Sequence, residues 1–314
     1  MITAFVLGIL FGVLAGLIPG VHINLIASLM LAASGFILDY FAAKELAVFV
    51  VAMGITHAFV EVVPSIFLGA PDDSSALVML PGHKMLHKGL GYDAVRFATI
   101  GALGCLLLTL AAFPLLIWAF PFLFRTIKPV LGWLLLGLII VLILKEKKDW
   151  WKAAIVFGLT GALGFIVLNK LEIEQPLMQL LSGLFGASSL SLALFENTKI
   201  PVQIGKFLHL DKKAGVKGIL GGLVGGTLVT LFPGLGPGHA GALSTTIFKT
   251  TSHSYLVLIG GLHTADFLSS IITLVVLGKA RNGALAAMSE IVDVSLDDIW
   301  ALGTVALIAG IIAA

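Results

Sequence analysis

Charge is scarce along this chain. Asp, Glu, Lys and Arg make up 11% of its 314 residues, against 59% hydrophobic residues, and the mean hydropathy is +1.09. A soluble domain carries about 25% charged residues, so a water-facing surface cannot be covered here. Cysteine is nearly absent. The single Cys105 excludes a disulfide framework and a Cys-based zinc site, and as a lone thiol in an apolar stretch it reads as packing. A basic stripe with interleaved aromatics is missing, which removes nucleic acid as a partner. The N-terminus lacks a basic region and a small-residue cleavage site, so the first segment reads as a retained membrane segment, not a signal peptide.

The charges that exist are clustered. None falls within residues 1–38, 97–124, 175–195 or 218–248. The last three runs each meet the roughly 20 residues that a spanning helix needs. These apolar runs are continuous, without the period-two alternation of barrel strands. Because backbone groups in lipid must pair internally, the expected fold is an all-α polytopic integral membrane protein.

Lysine gathers in residues 145–152 and 196–217, with the acidic stretch Lys170-Leu171-Glu172-Ile173-Glu174 between them. The positive-inside rule places the two Lys-rich loops in the cytoplasm and the acidic loop outside. Spans of about 17 residues (153–169) and about 20 residues (176–195) fit between. Lys84, His87, Lys88 and Arg96 form a further basic group, expected on the cytoplasmic side.

An internal repeat organises the rest. Gly8-x3-Gly12-x6-Pro19-Gly20 returns as Gly222-x3-Gly226-x6-Pro233-Gly234, at a constant offset of 214. Gly54-x2-His57 is echoed by Gly260-x2-His263 at an offset of 206, and Glu61 and Asp266 follow the two pairs. The expectation is two weakly similar halves: residues 1–150 and 216–314, with connecting spans and the Lys-rich loop over 151–215. As one straight helix, residues 2–38 would extend about 55 Å at 1.5 Å per residue, beyond a hydrocarbon core of about 30 Å. A break at each Pro-Gly resolves the excess as a re-entrant hairpin. The charge pattern makes the two hairpins open on opposite sides, an inverted-topology repeat of the kind found in transporters.

Proline removes a backbone donor and glycine tolerates unusual backbone, so each break frees carbonyls before it and amides after it. Such backbone survives at membrane depth only when buried in protein or lining a wet cavity. The candidate substrate site is therefore Pro19, Gly20, His22 and Asn24 with Pro233, Gly234, Gly236, Gly238, His239, Ser244 and Thr245. Its amides and helix N-termini suit an anion, and His22 and His239 could add donors. A packing kink is the plainer reading of any single break. No strand precedes the glycines, so they form no nucleotide loop, and no cofactor is expected.

Glu61 shares a helix face with His57, and Asp266 with His263; ionisable residues at membrane depth are functional candidates. Asp72-Asp73-Ser74 lies between apolar segments and reads either as a cation site or as a helix cap. The expected ion-coupling set is thus Glu61, Asp72, Asp73, Ser74 and Asp266. Neither a nucleophile with its base nor three metal ligands occurs at workable spacing, so an enzyme is disfavoured.

The Gly-x3-Gly-x6-Pro-Gly element and the Pro233-Gly234-Leu235-Gly236-Pro237-Gly238 copy resemble the large membrane subunit of tripartite tricarboxylate transporters, the TctA family. The Pro71-x-x-Ser74-x-Ala76…Pro81…Lys88-Gly89 run supports the same resemblance. It covers Gly8 to about Gly104 and Gly218 to about Ala287. The resemblance implies cation-driven uptake of carboxylates, with a small membrane subunit and an extracytoplasmic binding protein as partners. This chain is shorter than the usual large subunit, and Asp72-Asp73 stands where the family has small neutral residues. The reading is a secondary transporter of a small organic anion, probed against a translocase for a polyprenyl-phosphate lipid carrier. The coupling cation would be Na⁺ or H⁺. A homo-oligomer is admitted without being specified.

Overall fold

In the computed structural model, residues 1–68, 76–171, 191, 200–232 and 234–314 are described. Every regular element among them is helical. Among the described residues, seven helical stretches are long and apolar enough to cross a membrane: Ala43–Phe67, Gly91–Ala111, Phe113–Leu144, Lys147–Asn169, Lys212–Leu231, Ser252–Leu277 and Leu296–Ala313. The all-α polytopic expectation holds for the described residues.

The chain divides into two compact units. One comprises Met1–Phe124 with Ile200–Ala314, the other Arg125–Lys199. In the second unit, α9 (Leu131–Lys145) and α10 (Trp150–Asn169) are joined by a short turn at Lys147–Asp149. Trp133, Leu136, Val141, Phe157, Leu159 and Phe165 on these helices are exposed, as lipid-facing side chains would be.

The first unit holds the core. Helices α1 (Ile2–Leu17), α2 (Ile23–Ala32) and α3 (Ser34–Ile37) precede α4 (Ala43–Val60), which continues through a bend at Glu61 into α5 (Val62–Phe67). Then come α6 (Ala76–Leu86), α7 (Gly91–Ala111) and α8 (Phe113–Ile127). After the second unit follow α11 (Lys212–Leu231), α12 (Pro237–Phe248), α13 (Ser252–Leu277), α14 (Gly283–Ser289) and α15 (Leu296–Ala313).

Glycines decide how these helices meet. Lipid offers no hydrophobic drive for helices to associate, so small residues that let backbones approach carry the packing. A Cβ on Gly8 would sit 2.6 Å from Phe49 O, and one on Gly12 would sit 2.7 Å from Met53 O. In the second half, a Cβ on Gly222 would sit 2.8 Å from Leu258 O, and one on Gly226 would sit 2.7 Å from Leu262 O. The repeated glycines thus do the same job twice, α1 against α4 and α11 against α13, with each pair running parallel.

These contacts also set the register between the halves. Phe49 corresponds to Leu258 and Met53 to Leu262, which places α13 at 209 residues after α4. His57 then corresponds to Asp266 and Gly54 to His263. The 206-residue echo of Gly54-x2-His57 lies three residues, nearly one helical turn, away from that packing register.

The pairings across the halves exchange as a two-fold relation would require. Helix α13 packs along α7, and α15 along α4. Contacts of Phe97 with His253 and of Thr264 with Ala102 O make α7 and α13 parallel. Lys44 bonding Asp298, and Phe59 beside Gly310, make α4 and α15 parallel. Gly310 meets Leu106 while Gly303 meets Leu110, so α7 and α15 are antiparallel. It follows that α4 and α13 run in opposite directions.

Candidate functional site

The two helix breaks have one backbone. Ile18 (φ −96°, ψ 104°) ends α1, and Phe232 (φ −103°, ψ 101°) ends α11. Val21 N–H donates to Ile18 O at 3.1 Å, and Leu235 N–H donates to Phe232 O at 3.1 Å, at the same offset of 214. Gly20 has φ 90° and Gly234 has φ 87°, in the left-handed region where a Cβ is strained. With Pro19 ahead of Gly20, the first break is a type II turn, which takes Pro at its second and Gly at its third position. His22 and Gly236 then occupy the N-cap positions of α2 and α12. Pro233 lies outside the described residues.

Each turn delivers the chain into a returning helix. After α1, residues 18–42 bring the chain back so that the amino group of Met1 meets Glu45 at the start of α4. The hairpin expected over residues 2–38 is thus present as a local geometry.

The polar residues after the breaks have different surroundings. His22 Nδ1 accepts the Asn24 N–H at 3.1 Å, closing the N-terminal turn of α2. Asn24 Oδ1 accepts the Ala284 N–H at 2.9 Å and so caps α14 in the other half. Gly20 and Gly234 are exposed, with no atom within 4 Å of a would-be Cβ. Gly236 is half-buried and its would-be Cβ meets only His239 Nδ1, at 3.9 Å, so bulk at these glycines crowds nothing and acts only through the backbone of Gly234. Gly238 is half-buried, and His239 is exposed on the first turn of α12. Ser244 is fully buried and its hydroxyl has no partner among the described residues. Thr245 Oγ1 donates to Ala242 O at 2.7 Å.

The ionisable candidates separate into two places. Glu61 sits at the bend between α4 and α5, with His57 Nε2 3.3 Å from Oε2 and His263 Nδ1 3.3 Å from Oε1. All three side chains are 6–7% exposed. The His22 ring stands edge-on to His57 with centroids 5.2 Å apart. A residue of the first break, one of α4, the Glu61 bend and one of α13 therefore form a single cluster. Asp266 is apart from it: Thr230 Oγ1, at the end of α11, donates to Asp266 Oδ1 at 2.9 Å. The shared face of His263 and Asp266 is real as helix geometry, yet His263 pairs across the halves with Glu61. Asp72, Asp73 and Ser74 lie outside the described residues, as do Glu172 and Glu174.

A polar clamp went unread in the sequence. Buried Asp93 accepts the Leu208 N–H at 2.8 Å and the Lys206 N–H at 3.2 Å, with Arg96 3.3 Å away. Gln203 Oε1 accepts the Gly91 N–H at 2.8 Å. Together they strap residues 200–210 to the start of α7. The Asp93/Arg96 spacing of three was the available signal.

The family model for the tripartite tricarboxylate transporter TctA family matches residues 2–313. The chain belongs to the TctA family. An uncharacterized protein of Methanocaldococcus jannaschii is 29% identical over 293 residues, covering 90% of this chain and 71% of the relative. No solved structure matches. Membership makes the chain a multi-pass membrane protein of a transporter family whose members work with partner subunits, and gives no support to the lipid-carrier translocase.

Proposed function

We propose that this TctA-family chain is a secondary transporter of a small organic anion, a carboxylate, driven by a cation gradient. The observation that carries the reading is the repeated break, the same turn with the same left-handed glycine opening onto a helix N-terminus in each half. A helix N-terminus behaves like roughly half a positive charge, so two of them offset about one carboxylate. Fixed cations are rare in the apolar core, and backbone amides supply the positive field instead. The substrate set stays as read from the sequence, with Asn24 acting mainly through its cap on α14.

The opposed directions of α4 and α13, the parallel pairing within each half and the exchanged pairings across halves support an inverted-topology repeat. Glu61 and Asp266 are the coupling groups within the described residues; Asp72, Asp73 and Ser74 keep the ion-coupling role read from the sequence, as a cation site or a proton relay. A small membrane subunit and an extracytoplasmic binding protein are the partners in this reading. The test is uptake of a labelled tricarboxylate into proteoliposomes, with polyprenyl-phosphate scrambling measured in the same vesicles. Tricarboxylate uptake without scrambling is expected; scrambling without uptake contradicts the proposal.

A further inference from the structure

We infer that Glu61, held between His57 of its own helix and His263 of the opposite half, is the proton-carrying site of the transporter. The coupling ion taken up there is H⁺, not a metal cation. The inference rests on the transport reading above and goes further by naming the ion, its site and the way it couples.

Hard cations such as Na⁺, Ca²⁺ and Mg²⁺ are held by several oxygen atoms. Here each oxygen of the buried carboxylate faces a ring nitrogen at 3.3 Å instead, so the cluster is built from proton donors and acceptors. A buried carboxylate must be paired or neutralised. One proton shared with the imidazoles makes the cluster neutral, and a second leaves it with one positive charge. Protons in such an interacting cluster belong to the group as a whole and not to one residue.

Among the described residues, the surroundings isolate this unit. Helix α1 approaches through Gly16, which backs onto Val60 and the Glu61 amide, and α1 carries no titratable side chain. Helix α2 contributes only His22, whose Nδ1 is occupied by the Asn24 amide. Helices α5 and α14 contribute none. On α13 the other acid, Asp266, is engaged by Thr230. On α6, His83 bonds Ile66 O. Asp93 and Arg96 of α7 belong to the strap. At the far end of α4, Lys44 and Glu45 pair with Asp298 and the amino terminus.

Two features tie protonation to movement. Glu61 and His263 come from helices of different halves that run in opposite directions, so displacement of one half against the other opens that contact. Separation leaves Glu61 with His57 alone, changes the proton affinity of the pair and thereby biases the two states. His263 Nε2 is also buried without a partner among the described residues. An unpaired buried polar atom is costly, and a proton relay or an incoming anion would satisfy it.

The experiment uses the full chain in proteoliposomes with labelled citrate as probe and an entrapped pH dye. The wild type should accumulate citrate under an inward H⁺ gradient and acidify the lumen, with no drive from Na⁺ alone. E61Q should lose citrate-coupled acidification at least tenfold, and H263Q should displace the pH profile of uptake or remove one of its inflections. Retained acidification in E61Q, or Na⁺-driven wild-type uptake without acidification, overturns the inference. If the wild type moves no citrate, pH-difference infrared spectra of the purified protein separate the two proposals. A protonation band lost in E61Q supports the proton site while the transport reading fails; identical spectra of wild type and E61Q overturn the site. Thermal melts of both variants serve as the folding control.

Discussion

Gly12→Ala should destabilise the protein, whereas Gly158→Ala should leave it unchanged or slightly more stable. The new Cβ at position 12 would lie 2.7 Å from both Met53 O and Thr56 Cβ, while the one at 158 would have nothing within 4 Å. Forcing atoms into a packed interface costs about 1–3 kcal/mol. Replacing glycine inside a helix returns about 1 kcal/mol. The net is a loss of up to about 2 kcal/mol at 12 and a gain of up to about 1 kcal/mol at 158. Gly226→Ala, with its Cβ 2.6 Å from Asp266 N, should repeat the loss in the other half. At roughly 2 °C per kcal/mol for a chain of this size, the midpoints of Gly12→Ala and Gly158→Ala should differ by several degrees. The protein carries its own reporter, because Cys105 is the only cysteine and is fully buried. A thiol-reactive dye therefore lights up only on unfolding. Equal midpoints for the two variants would refute glycine-mediated contact of α1 with α4.

Other outcomes follow from the same contacts. Asp93→Ala leaves the Leu208 and Lys206 amides without their acceptor, a loss of about 1–3 kcal/mol, and trypsin should cut at Lys206 faster than in the wild type; an unchanged rate would mean that the strap is held otherwise. In a chain with Cys105 replaced, Lys147→Cys and Lys212→Cys should resist impermeant thiol reagents in whole cells, as the positive-inside rule expects both loops in the cytoplasm; labelling from outside would overturn the orientation. The double variant Asp72→Asn/Asp73→Asn should abolish ion-dependent uptake, whether these residues hold a cation or relay protons, while melting normally, and unchanged dependence would leave both residues as caps.

Much of this architecture was legible in the sequence because its determinants are local. The Pro19-Gly20 turn needs only a residue that presets φ and one that accepts the left-handed region, and the glycine spacing needs only a helix to bring Gly8 and Gly12 onto one face. The Glu61–His57 pairing was readable for the same reason, being four residues apart on one helix. What escaped depends on packing between helices. Only the depth to which Gly12 and Gly226 sink against their partner helices fixes the 209-residue register, so the Gly-x2-His echo misled by about one turn. That register sends His263 to Glu61 and leaves Asp266 to Thr230. The sequence shows that the Asn24 amide needs partners, but not that one of them is the Ala284 amide, 260 residues away. The strap over 200–210 has no periodicity of its own and exists through Asp93 and Gln203.

The anion cradle at the two breaks is tested most directly by ligand-induced thermal shift, using Cys105 exposure as the readout. A tricarboxylate, its neutral amide and a matched polyamine would be compared on the wild type, Gly234→Val and Gly236→Val. Valine at 234 must abandon the φ of 87°, which re-aims the amides. At 236 the φ of −78° suits any residue, so that variant should respond like the wild type. The account predicts that only the tricarboxylate raises the melting midpoint, and that Gly234→Val loses this shift. Stabilisation by only the amide or the polyamine, with Gly234→Val responding like the wild type, would contradict it.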